Sequence, residues 1–123
     1  MSHVVVVQVQ TRDPAALTAA CRRLGLKEPV TGTARLYGGS ASGLIVHLPG
    51  WRFPVVVDAK AGEIRYDNYG GAWGEQSQLD RLMQAYAVEK CRIEALKAGH
   101  GGIVEQRLPD GSIKLTIQVG GAP

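Results

Sequence analysis

Between Thr33 and Asn68 the sequence repeats one device four times: a short run of strand-forming residues, set off from the next by a glycine-containing turn. The runs are Thr33 to Tyr37, Gly43 to Leu48, Pro54 to Asp58 and Glu63 to Asn68. Gly38-Gly39, Pro49-Gly50 and Ala61-Gly62 separate them. Connections this short cannot hold a crossover helix, so the strands must run antiparallel. No other feature constrains the fold as tightly.

Elements of a different kind flank this meander. His3 to Gln10 reads as a first strand, rich in valine and ending in a Val/Gln alternation. Asp13 before Pro14 is a helix start, Leu17, Ala20, Cys21 and Leu24 recur at helical spacing, and Gly25 is the stop. After the meander, Leu79, Leu82, Met83, Tyr86, Ile93 and Leu96 mark one face of a long helix that Gly99 ends. Ser77 with Asp80 resembles its capping box. Gly101 to Leu108 and Ser112 to Val119 flank Pro109-Asp110-Gly111, which predicts a hairpin. The order β-α-β-β-β-β-α-β-β describes an α+β fold, an antiparallel sheet packed on one long helix. At 123 residues the chain has the size of one domain, assigned to residues 1–119, with 120–123 as a flexible Gly-Gly tail.

Composition excludes several function classes. Hydrophobic residues at 45% and charged residues at 20% are those of a globular domain, not a disordered one. The longest apolar run, Val4 to Val7, is far short of the ~20 residues of a membrane helix, and no secretory signal is legible. The formal charge is +3, but the cations are spread from Arg12 to Lys114, so a nucleic-acid surface is not expected. Cys21 and Cys91 have no cysteine neighbour at short spacing and read as small buried residues in a reducing cytoplasm. His3, His47 and His100 lie far apart, so no metal site is assigned. With no GxSxG or HExxH motif, no catalytic residue and no cofactor are assigned either.

The densest unusual stretch is Tyr66-Asp67-Asn68-Tyr69-Gly70-Gly71-Ala72-Trp73-Gly74, which joins a strand to the long helix. Its glycine spacing lacks both the GxGxxG pattern and the Lys-Ser/Thr of a phosphate loop. It reads better as a rigid corner: Trp73 plugs the core against the long helix, at least one glycine has positive φ, and Tyr69 is left outside. Tyr69, Gly70 and Gly71 are therefore candidate partner-binding residues. Trp51 joins them, although a ring after the Pro49-Gly50 corner also tends to fold back on the sheet. Beside Arg52, Trp51 and Phe53 could instead stack a base.

Lys90 is the second oddity, since it shares a helical stripe with Leu79, Met83 and Tyr86. A lysine there is either a base or half of a structural ion pair. The pair is the stronger reading, with Asp67 the leading partner and Glu94 the other. Gly120 and Gly121 in the tail resemble the conjugation end of a ubiquitin-like modifier, although the strand order is not that fold's.

The stretch from Tyr66 to Gly74, Tyr86-Ala87-Val88-Glu89-Lys90 and Asp110-Gly111-Ser112-Ile113-Lys114-Leu115 together resemble the conserved reading-frame family of chloroplasts, cyanobacteria and other bacteria, a domain of unknown function. The resemblance spans most of the chain and departs at Val4, where an aromatic is expected. It implies a small protein working beside other proteins and carries over no activity, cofactor or catalytic residue. The reading is thus a non-enzymatic accessory protein that binds other proteins. The alternatives are a small enzyme or anion binder centred on the Tyr66–Gly74 loop and Lys90, and a modifier acting through its tail.

Overall fold

The computed structural model describes residues 5–8 and 12–118. Its strands are β1 (Val5–Gln8), β2 (Val30–Leu36), β3 (Gly39–Val46), β4 (Val55–Asp58), β5 (Glu63–Tyr66), β6 (Gly102–Arg107) and β7 (Ile113–Gln118). Its helices are α1 (Pro14–Arg23) and α2 (Gln76–Lys97), with a single 3-10 turn at Tyr69–Gly71 between β5 and α2. The α+β class and the order of strands and helices are those expected. The first five strands form one antiparallel sheet in the order β1-β5-β4-β3-β2, while β6 and β7 pair only with each other.

Alternation along the strands gives this sheet two different faces. Val46 pairs with Val55, and Val57 with Ile64, so these side chains share a face with Tyr66. Both helices cover that face, α1 with Leu17, Ala20 and Cys21, α2 with Leu79, Leu82 and Tyr86. A fully buried leucine or valine of this kind stabilises the fold by roughly 1.5–3 kcal/mol. On the far face Ile45 sits opposite Val56, and Ala34 opposite Ala41. With Leu36 and Phe53 these form a second, smaller cluster.

Local chemistry explains the helix ends. Asp13 caps α1, its Oδ1 accepting from the N–H groups of Ala15 at 3.0 Å and Ala16 at 3.3 Å. The expected capping box of α2 does not form: the helix starts at Gln76, and Ser77 lies inside it. The N-cap position falls to Glu75, whose side chain makes no capping hydrogen bond. At the other end the His100 N–H donates to the Ala95 carbonyl at 2.8 Å, closing the helix around Gly99 as expected.

The β6–β7 hairpin turns at Pro109-Asp110-Gly111, where the Leu108 N–H donates to the Ser112 carbonyl at 2.8 Å. Ion pairs tie it to the helices. Glu105 accepts from Arg23 at 2.5 Å and from Arg92, and Arg23 also reaches Glu89 at 3.3 Å. Hydrogen bonds from Arg23 and Arg92 hold the Glu105 carboxyl below the usual carboxylate range. The Gln84 side-chain amide completes the attachment by donating to the Gly111 carbonyl at 2.9 Å.

The cysteines differ from the sequence reading in one respect. Cys21 is buried, and burial pushes its thiol up to about 11, with Glu28 adding to the effect. Cys91 is exposed on α2. Its place in the helical pattern suggested burial, but it lies on the outward side with Ala87 and Glu94, away from the sheet. Among the described residues no helix is long and apolar enough to cross a membrane.

Candidate functional site

The loop after β5 is organised by Asn68. Its carbonyl accepts from the N–H groups of Gly71 at 3.0 Å and Trp73 at 2.9 Å, and its Nδ2 donates to the Gly74 carbonyl at 3.2 Å. Asn68 is buried, so these bonds satisfy polar groups that burial would otherwise penalise. The chain turns so sharply that Tyr69, Gly70 and Gly71 have φ of 49°, 62° and 105°. Glycine enters the left-handed region freely, as expected for this corner. Tyrosine does not, and Tyr69 is the single described residue other than glycine with positive φ. The neighbouring contacts must therefore hold an unfavourable backbone at this aromatic.

Two tryptophans leave the corner on opposite sides: Trp51 folds back on the sheet, and Trp73 departs from the place the sequence suggested for it. Trp51 packs against the main core, edge-on to Tyr66 at 5.6 Å between ring centroids, and its Nε1 donates to the Glu75 carbonyl at 3.0 Å. A Cβ at Gly74 would lie 2.4 Å from its indole ring, so that position must be glycine. Trp51 is thus pinned, partly buried against the main core, the fold-back arrangement rather than that of a free contact residue. Trp73 does not plug the core against α2. Tyr69 stacks on it at 4.8 Å, Tyr37 and Phe53 meet it at 5.2 and 5.5 Å, and Phe53 anchors the group to the far-face cluster. With Trp51 occupying the space over Gly74, the indole of Trp73 goes to the other side of the sheet.

This far-face group is exposed at its rim. Tyr37 is 63% exposed and Tyr69 45%. The Arg52 guanidinium lies 5.0 Å from the Trp73 ring centroid and 5.7 Å from that of Phe53, close enough for cation–π attraction. A backbone bond from the Arg52 N–H to the Trp73 carbonyl, 2.8 Å long, locks the two loops together. Gly70 and Gly71 are exposed beside Tyr69 and leave open space around it.

The expected Lys90–Asp67 pair is not made. Lys90 Nζ lies 2.6 Å from Glu94 and 3.0 Å from Asp13, which raises the lysine pKa and lowers that of Asp13. The Asp13 N–H also donates to the Tyr86 hydroxyl at 3.1 Å, so Asp13 joins the start of α1 to the middle of α2. The sequence reading missed this partner because Asp13 was fully explained as a cap. Asp67 is buried in the loop instead, where its Oδ1 accepts from the Tyr69 N–H at 3.4 Å. Its Oδ2 and the Nε of Arg65 are buried without a hydrogen-bond partner.

These placements leave the Tyr66–Gly74 loop and Lys90 as separate features rather than one constellation. No group of three or more His, Cys, Asp or Glu residues suited to a metal ion occurs among the described residues. Gly120 and Gly121 lie outside the described residues. The sequence reading also missed Tyr37, although a signal for it exists. Tyr37-Gly38-Gly39 repeats the tripeptide Tyr69-Gly70-Gly71, and both tyrosines come to rest on Trp73. No family model, curated protein or solved structure matches the chain.

Proposed function

We propose that this chain is a non-enzymatic accessory protein that binds another protein through the far face of its sheet, around Tyr37, Tyr69 and Trp73. One observation carries the reading. Two largely exposed tyrosines from distant loops converge on one tryptophan, and one of them is held there in a backbone conformation that tyrosine disfavours. Strain of this kind concentrates at functional sites. Tyr, Trp and Arg are also the residues that dominate the energetics of protein contacts. The family resemblance to the conserved reading-frame proteins points the same way, and we place the protein in the cytoplasm on its unpaired cysteines.

Affinity capture from the native host tests the proposal. The wild-type chain should retain a protein that a Tyr37→Ser, Tyr69→Ser double variant loses, while Val104→Ser on the hairpin keeps it. Loss with Val104→Ser alone would move the contact surface to the hairpin and refute this one.

A further inference from the structure

We infer that the chain pairs with a second copy of itself along β2, an edge strand of the main sheet, in an antiparallel register centred on Thr33. The inference is independent of the partner-binding reading, which concerns a face of the sheet and not its edge. β2 closes the order β1-β5-β4-β3-β2, so one of its sides has no strand beside it among the described residues. Proteins commonly blunt such edges with short strands, bulges, proline or lysine. β2 has none of these: it runs seven residues, Val30–Leu36, pairs with β3 without a break, and holds neither proline nor lysine.

The hairpin decides which backbone groups of β2 point outward. Leu36 and Gly39 flank a two-residue turn and so bond to each other. The alternation of an antiparallel ladder then turns the groups of Gly32 and Ala34 toward β3, and those of Thr31, Thr33 and Arg35 away from it. These three residues form a self-complementary template. A two-fold axis through Thr33 sets Thr33 on Thr33 and Thr31 on Arg35, with about six hydrogen bonds between the chains. Every other axis through the strand sets Pro29, which has no N–H, or the turn residue Tyr37 against an outward group. The side chains agree with the Thr33 register. Val30, the most exposed large apolar residue described at 65%, shares the far face with Ile45 and would stand opposite Leu36 of the partner subunit. On the other face the two Arg35 positions fall four residues apart, about 13 Å, so like charges do not face each other.

Sedimentation velocity of the full-length chain at about 100 μM, where a dimer of micromolar dissociation constant is nearly complete, should give twice the mass of one chain. Thr33→Pro removes an outward N–H and spares the ladder to β3, so it should sediment as a single folded chain. Val30→Ser should raise the dissociation constant about tenfold. Thr33→Cys reads the register. Made together with Cys91→Ser, which removes the exposed native thiol, it should cross-link into a dimer on air oxidation. Facing residues of this kind lie about 5.5 Å apart at Cα, within disulfide range. Val104→Cys, exposed on the β6–β7 hairpin, should not cross-link under the same conditions. A wild-type chain that sediments as a monomer would overturn the inference. So would a Thr33→Pro variant that still dimerises, or a Thr33→Cys variant that cross-links no more than Val104→Cys.

Discussion

Trp51 and Trp73 occupy neighbouring loops, and the Arg52–Trp73 backbone bond links those loops, yet the two rings serve opposite faces of one sheet. Trp51 closes the helix-covered side, where its contacts are Tyr66, Gly74 and the main core. Trp73 collects aromatic rings and an arginine on the side that neither helix covers. The contrast shows how one corner can separate stability from contact. Gly74 lets one indole in, and the left-handed run from Tyr69 to Gly71 turns the other out.

Substitutions that test this division should differ in size. The largest effect belongs to Trp51→Ala, which should cost about 3–5 kcal/mol in chemical denaturation. Gly74→Ala should approach it, because the added methyl meets the indole at 2.4 Å. Trp73→Ala, whose ring packs on the smaller far-face cluster and on exposed tyrosines, should cost less, about 1–2 kcal/mol, while abolishing partner capture. Equal costs for the two tryptophans would break the comparison.

An acid titration probes the contacts between elements. Glu105 is held below its ordinary value of 4.5 by Arg23 and Arg92, and Asp13 below 3.8 by Lys90. A depressed carboxylate pKa contributes stability that is complete above the ordinary value and fades as the pH falls through the folded value. The denaturation midpoint should therefore hold from pH 7 to about 5 and drop below that. Arg23→Gln should make the drop shallower. An unchanged slope would detach the hairpin from this ion-pair account.

The smallest stability effects should come from Tyr69→Asn and Lys90→Met. Asparagine tolerates the left-handed region better than tyrosine, so relief of strain offsets the lost stacking on Trp73, leaving stability within about 1 kcal/mol. Capture of the partner should nevertheless fail. Lys90→Met breaks an ion pair whose lysine side chain is 38% exposed, and should change the melting temperature less than Trp73→Ala does.

The sequence made the fold legible wherever periodicity is enforced by burial. The four runs of the meander and the long helix carry buried side chains, and each forms, while the final hairpin, partly buried at most, forms on its alternation and turn. Boundaries slipped where small residues replace that signal. Gly39 reads as part of a break and Gly32 as the end of a turn, yet both pair inside the β2–β3 ladder, opposite Leu36 and Gly43. Nothing in the hairpin's alternation says that β6 and β7 form a sheet of their own, because the pattern specifies an apolar face but not what covers it. The candidate site was legible in part. Tyr69, Gly70 and Gly71 stand exposed at the corner as expected, but Tyr37 and Arg52 come from other loops, and the side on which each tryptophan leaves its loop is a three-dimensional property. Asp13 shows the same limit, since its bond to Lys90 spans most of the chain.

Hydrogen–deuterium exchange of the free chain and of its complex with the captured partner tests the division between the two faces most directly. Protection gained on binding should concentrate in residues 35–40, 51–53 and 69–73, with the amides of α1 and α2 unchanged. Protection gained along the two helices or in the β6–β7 hairpin, with residues 69–73 exchanging as in the free protein, would contradict it.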